Sequence, residues 1–280
     1  MKINSVKIKV IYLLMFLSIN VCLAQTINLQ TMPDTTKQFG FSFDKTFFSN
    51  KYYKMNAFSG VYQIYFNIPI SSKINLVSSI PYINANYEVD NYWGKYTYEK
   101  KGFGNIFIGI QTNKKIINNS ISFFSAGVFL PTAEETIALN GLYSNYYDIQ
   151  KFIPNSLGLY LNYANHRIIA ESFNFAFEVG PNFILPIGDN SSDGEIFVHY
   201  GLNAGFKVER LSFNVELLGI FILSEDTEDI TDRFVNMFNL GAQWKGEVVS
   251  PKIFYKIYLK DEISRSVDGV LGMGVTVAID

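Results

Sequence analysis

Between Val61 and Ile70 the chain alternates. Tyr62, Ile64, Phe66, Ile68 and Ile70 share one face, and Gln63, Tyr65 and Asn67 share the other. Successive side chains of a β-strand point to opposite sides, so this is a strand with one apolar and one mixed face. The pattern recurs. Ile106, Ile108 and Ile110 alternate with Phe107, Gly109 and Gln111. Phe173, Phe175, Phe177 and Val179 oppose Asn174, Glu178 and Asn182. Leu211, Phe213, Val215 and Leu217 oppose Asn214 and Glu216. Ile253, Tyr255, Ile257 and Leu259 oppose Lys252, Lys256 and Lys260. Twelve strands are predicted, over 38–48, 57–69, 74–87, 103–113, 119–131, 155–165, 172–185, 195–208, 210–222, 233–246, 250–260 and 267–279; because the first strand is weakly defined, ten is the alternative count. Pro81 and Pro181 fall inside two of them and are expected at strand ends or bulges, because proline lacks a ladder donor.

These segments run roughly 10 to 14 residues, longer than the ~5–6 usual in soluble sheets and long enough for a tilted membrane strand, which needs ~9–11. The connections alternate in size. Short ones follow every even-numbered strand (71–73, 114–118, 166–171, 209–210 and 247–250), and longer ones, such as 88–102, 132–154, 186–194 and 223–232, follow most of the others. A barrel that begins and ends in the periplasm has short turns there and long loops outside. The fold expected is therefore all-β: a transmembrane antiparallel up-and-down barrel over residues 38–280.

Composition agrees. Charged residues make up 17% of the 280, below the ~25% of an average soluble protein, and aromatics 16%. No stretch after the N-terminus has the ~20 apolar residues of a membrane helix. Lys2, Lys7 and Lys9 precede the apolar run Val10–Leu17, and Leu23-Ala24-Gln25 offers a small residue for cleavage. Residues 1–24 thus read as a signal peptide and 25–37 as a polar lead-in. Cleavage after Ala24 removes Cys22, the one cysteine. The location implied is the outer membrane of a Gram-negative bacterium. The partners implied are outer-membrane lipids and lipopolysaccharide, with the barrel-assembly machinery during biogenesis. A net charge of −2 gives no reason to expect nucleic acid.

One stretch carries a resemblance. Gly102-Phe103-Gly104-Asn105-Ile106-Phe107-Ile108-Gly109, followed by Gly127-Val128-Phe129-Leu130-Pro131-Thr132 and preceded by Ile68–Tyr82, resembles the outer-membrane family named after the meta-pathway of phenol degradation. The likeness covers residues 57–135, with Asn105 where that family usually has Asp and Ala133 where it has Gly. It implies an outer-membrane barrel that passes small hydrophobic or aromatic compounds.

Candidate chemistry is sparse. The two histidines, His166 and His199, lack a serine two residues on, so the His-x-Ser pattern of an outer-membrane acyl hydrolase is missing. Two separated histidines without cysteine do not make a zinc site. Gly102 and Gly104 precede no helix that could cradle a phosphate. No catalytic residue, metal or cofactor is expected. His166 is expected at a periplasmic turn. The lumen face holds Glu178, His199, Lys207, Glu216, Lys245, Lys252, Lys256 and Lys260, read either as a stiffening polar interior or as a pore lining in which the lysines of the eleventh strand, Lys252, Lys256 and Lys260, favour anionic solutes. The loop tyrosines, among them Tyr87, Tyr92, Tyr96, Tyr98, Tyr143, Tyr146 and Tyr147 with Trp93, form either an interfacial girdle or a ligand-stacking surface. The acidic run 225–232 reads as a solvated external loop. The function expected is a passive channel or transporter for small solutes. The alternative is a structural or adhesive barrel, closed inside and acting through its loops.

Overall fold

The computed structural model describes residues 37–50, 53–91, 94–116, 120–170, 172–187, 193–224 and 229–279. The signal peptide, most of the lead-in, Tyr92, Trp93 and residues 225–228 lie outside them. The described residues form fourteen strands: β1 (Lys37–Phe48), β2 (Tyr53–Met55), β3 (Gly60–Ser71), β4 (Ile74–Asn91), β5 (Gly94–Phe103), β6 (Phe107–Ile116), β7 (Ser120–Phe129), β8 (Ser156–Ala170), β9 (Phe173–Pro186), β10 (Glu195–Val208), β11 (Leu211–Ile222), β12 (Phe234–Trp244), β13 (Val249–Tyr258) and β14 (Val267–Ile279). Helix α1 (Ala138–Ser144) lies between β7 and β8, and α2 (Asp261–Ser264) between β13 and β14.

All pairings are antiparallel, and twelve strands close a ring. The first strand closes it: β1 pairs with β3 on one side and with β14 on the other, placing Phe41 opposite both Ile64 and Val275. The remaining two, β2 and β5, pair with the distal half of β4 and build a three-stranded ribbon beyond the rim. The segment 88–102, expected to be a loop, is thus mostly strand. Its alternation, as in Tyr96-Thr97-Tyr98-Glu99, has aromatic and charged residues on opposite faces rather than aliphatic ones.

The barrel is inverted relative to a soluble protein. Ile110 (49% exposed), Phe124 (49%), Phe213 (48%) and Ile253 (52%) face outward, while Asn162, Glu178, Glu216, Asn239 and Lys256 face inward at 2% or less. An apolar outer surface around a polar interior needs lipid around it. Each ring strand is hydrogen-bonded to a neighbour on both sides, which a hydrocarbon environment demands.

Pro81 and Pro181 lie inside β4 and β9 rather than at strand ends. Both sit where the ladder is interrupted on one side. Beyond Ser79 the outer neighbour of β4 changes from β6 to β5, whose pairing begins at Tyr82. The β8–β9 ladder skips from Tyr160–Asn182 to Tyr163–Val179, and Pro181 falls in that gap. A residue without an N–H loses nothing there.

Glycines let rings lie flat on the lumen wall. A Cβ on Gly40 would stand 1.9 Å from the Tyr65 ring, whose hydroxyl meets Thr276 Oγ1 at 2.6 Å. Phe107 crosses Gly109 and Gly127 in the same way. A narrow barrel gains room by this means without widening its circumference.

Candidate functional site

The connection between β7 and β8 folds down into the barrel rather than out of it. Two 3-10 helices, Glu135–Ile137 and Tyr146–Lys151, flank α1, and the whole segment forms an internal plug. Ile137, Tyr147 and Phe152 are buried, and Tyr147 packs with Ile184, Phe197, Leu218, Ile220 and Met237 of the wall. Tyr143, Tyr146 and Tyr147 therefore belong neither to a membrane girdle nor to an exposed stacking surface. The loop is apolar enough (Ile137, Leu142, Ile149, Phe152, Ile153) to need a core, and the upper lumen provides one.

Both ends of the plug are held by Asn105, which is fully buried between β5 and β6. Its Nδ2 donates to the carbonyls of Gln150 (2.8 Å) and Ile153 (2.7 Å), and its Oδ1 accepts from the amides of Thr132 (2.9 Å) and Ala133 (2.8 Å). Its own amide donates to Lys151 O at 2.7 Å. Thr132 Oγ1 donates to Gly104 O (2.8 Å) and accepts from the Ile106 amide (3.0 Å). Gly104 approaches the plug so closely that a Cβ would lie 2.4 Å from Lys151 O. The two motifs of the resemblance are thus two halves of one clamp. An aspartate at position 105 could accept as Asn105 does but, ionised, could not donate to either carbonyl.

The middle of the plug is fastened to opposite walls. On β13, Lys256 Nζ donates to Ser144 O at 3.2 Å while paired with Asp44 of β1 at 2.6 Å. The ammonium sits at the C-terminal end of α1, where the helix dipole favours a cation. Tyr258 Oη donates to Tyr143 O (3.0 Å) and accepts from the Tyr146 amide (3.1 Å). Thr46 and Ser144 share a hydroxyl contact of 2.8 Å. On β9, Glu178 accepts from the Tyr147 hydroxyl and, at 3.2 Å, from Asn162. Lys151 is held by Asp148 (2.7 Å) and Gln63 (3.1 Å).

The residues expected on the lumen face separate into groups. Glu178, His199, Glu216 and Lys256 are buried at plug depth. His199 stacks on Tyr160 at 5.0 Å and lies between Asn182 and Asn162. Glu216 accepts from Asn239 (2.8 Å) and Asn203 (3.4 Å). Lys207 and Lys252 lie nearer the short-turn end, with Lys252 5.8 Å from the Tyr65 ring. Lys260 is not in the lumen: it lies past the end of β13, on the rim, bonded to Asp232 O (2.6 Å) and Glu262 (3.2 Å). Two of the three lysines expected to favour anions thus carry a carboxylate partner. His166, expected at a turn, is buried inside β8, because that strand runs on to Ala170. In the sequence Asn105 stands out only as a departure from the family motif, and Tyr258, Gln150 and Lys151 carry no local pattern that marks a contact with the loop.

Above the plug, aromatic rings form a continuous row. Tyr98 stacks on Tyr87 (4.8 Å), Tyr87 meets Tyr53 (5.7 Å), Tyr53 meets Phe48 (5.8 Å), and Phe48 meets Tyr143 edge-on (5.8 Å). The row joins the ribbon to the plug, and Tyr98 also donates to Thr136 O at 2.6 Å. On the same rim, in the β11–β12 connection, Asp229 accepts from the amide and hydroxyl of Thr231, which holds its carboxyl below the usual aspartate value. Among the described residues no group of three or more His, Cys, Asp or Glu converges to hold a metal ion.

A closed, lipid-facing barrel with a polar lumen and an internal plug defines the class: a twelve-stranded transmembrane β-barrel. Solved structures share the fold. An outer-membrane channel from Pseudomonas putida F1 superposes with a TM-score of 0.64 at 12% identity, covering 91% of this chain and 99% of that one. The KdgM porin and the NanC porin each give 0.52 at 7% identity, covering 87% of this chain and 99% and 100% of theirs. No protein-family model matches the chain, and no curated protein matches it in sequence.

Proposed function

We propose that this protein is an outer-membrane channel for small solutes, shut by its β7–β8 plug and opened when the plug shifts. The observation that carries this is the polar wall behind the plug. A barrel serving only as a scaffold gains more from an apolar filling than from buried Glu178, Glu216 and Lys256, whose desolvation is costly. Such groups suit a passage that is wet when open. The channel and porin folds it resembles support the same reading. Hydrophobic or aromatic compounds are the solutes favoured by the ring row from Tyr98 to Tyr143, and by the motif resemblance. The pairing of Lys256 and Lys260 with carboxylates argues for weak charge selectivity.

Thr46 and Ser144 allow a direct test, since their hydroxyls already touch. In the Thr46→Cys/Ser144→Cys protein a disulfide would lock the plug to β1. Current across a planar bilayer should be absent when this variant is oxidised and return on reduction. Silence of the wild type and of the reduced variant, in bilayers and in liposome swelling, would overturn the channel reading. It would favour the closed, loop-acting barrel, for which the burial of Ile137, Tyr147 and Phe152 inside the barrel is the supporting observation.

A further inference from the structure

The plug fills the long-loop end of the lumen: the wall residues packed with Tyr147, such as Phe197, Leu218 and Met237, lie toward the rim from which it descends. Were it the sole closure, inward side chains near the short turns would line a vestibule open at that end. Instead they are sealed. Asn75 of β4, Phe123 of β7, His166 of β8, Asn174 of β9, Asn214 of β11 and Phe254 of β13 lie among the six residues nearest the short-turn end of their strands, and none is more than 4% exposed. Six strands spread round the ring thus each bury a side chain below the plug. Asn174 and Asn214 meet over Gly205, where a Cβ would stand 2.2 Å from Asn174 Nδ2 and 2.7 Å from Asn214 Oδ1, and the Phe254 ring lies over Gly272. Nearer the mouth exposure returns: Lys207 and Lys252 are partly exposed, with Lys252 Nζ 5.8 Å from the Phe254 ring.

This floor is polar and incompletely paired. Asn214 Nδ2, Asn203 Oδ1 and Asn239 Oδ1 are buried without a hydrogen-bond partner among the described residues. Buried polar atoms in folded proteins are nearly all paired, and leaving them bare favours any arrangement that lets water reach them. An apolar constriction of the same shape would resist wetting, as dewetted gates do. We infer that the barrel has a second closure in series with the plug: a polar floor, made of the wall's own side chains, that parts on hydration. It rests on the channel reading, to which it adds that a solute passes two barriers, one formed by a loop and one by the strands.

The test is thiol accessibility in the refolded chain carrying Cys22→Ser, with sulfonatoethyl methanethiosulfonate as probe and each rate taken relative to the same chain in urea. Asn214→Cys, in the floor, should react at least tenfold more slowly than Lys207→Cys, at the mouth. It should stay that slow when Asn105→Asp frees the plug. A smaller difference, with the plug in place or freed, overturns the floor. In planar bilayers Asn105→Asp/Phe123→Ala/Phe254→Ala should pass at least tenfold more current than Asn105→Asp, and a smaller gain overturns the series arrangement. Asn214→Leu, which removes an unpaired amide without leaving a cavity, should lower the wild-type current at least tenfold. A smaller fall overturns hydration as the trigger. A heat-modifiable band for each variant shows that the barrel has formed. Silence of every variant while Asn214→Cys stays protected refutes the channel reading itself, and makes the floor a filling rather than a gate.

Discussion

The side-chain amide of Asn105 donates to the main-chain carbonyl of Gln150 at 2.8 Å, joining the β5–β6 junction to a residue 45 positions further along the chain. That bond fixes the plug's returning limb. Through Thr132 and Ala133 the same side chain also fixes its descending limb.

Asn105→Asp should therefore release the plug without opening the ring. The carbonyls of Gln150 and Ile153 lose their donor, and each polar group orphaned in a buried site costs about 1–3 kcal/mol. The expected outcome is rapid proteolysis within residues 132–154 in a barrel that still runs as a heat-modifiable band. A protease pattern like that of wild type would contradict the clamp.

Lys256 is the second fastening. Lys256→Met leaves Asp44 buried without its ammonium, and removing one partner of a buried ion pair costs roughly 3–5 kcal/mol. Urea unfolding in detergent should show that loss. The double variant Lys256→Met/Asp44→Leu should recover much of it, since an apolar replacement of both partners removes the stranded charge.

Gly180 sets a steric limit. A Cβ there would lie 1.9 Å from Leu161 O, a backbone atom that cannot swing away. Gly180→Ala should force the β8–β9 ladder apart and lower refolding yield, with overpacking costs of about 1–3 kcal/mol. Gly94→Ala, whose Cβ meets nothing within 4 Å, isolates steric from backbone effects, since Gly94 has a φ of +121°.

Asp229 predicts a local pH response. Its carboxyl is held below the usual aspartate value by the Thr231 amide and hydroxyl. Folding depresses this pKa, so the stabilisation is present above the unfolded value near 3.8 and is lost as pH falls through the lower, folded value. The Thr231 amide resonance should titrate in that acid window and be insensitive there in Asp229→Ala.

Much of the ring was legible because lipid imposes a strict rule. Ile108, Phe124 and Ile253 had to face hydrocarbon and Gln111, Ser125 and Lys252 the interior, so period two survives along each strand. The β4–β5 ribbon stands outside hydrocarbon, and Tyr96 and Tyr98 obey no such rule. The plug was hidden for a related reason. Tyr143, Tyr146 and Tyr147 suit a membrane interface, a ligand or a packed core equally well, and only the three-dimensional placement of Tyr258 and Glu178 decides between them. Asn105 lay in a motif already noticed, but its partners are 27 to 48 residues away, beyond the reach of any local pattern.

The seam between β1 and β14 sets an order of events. Phe41 cannot meet Val275 until the whole chain between them has been laid down, so closure is the most non-local step of folding. Until then two strand edges stand unpaired, each a template for misassembly with other chains. The plug touches both sides of that seam, through Thr46 on β1 and Lys256 on β13. A plug seated before closure would draw the two edges together, so the β7–β8 segment would act as an internal template for the cylinder.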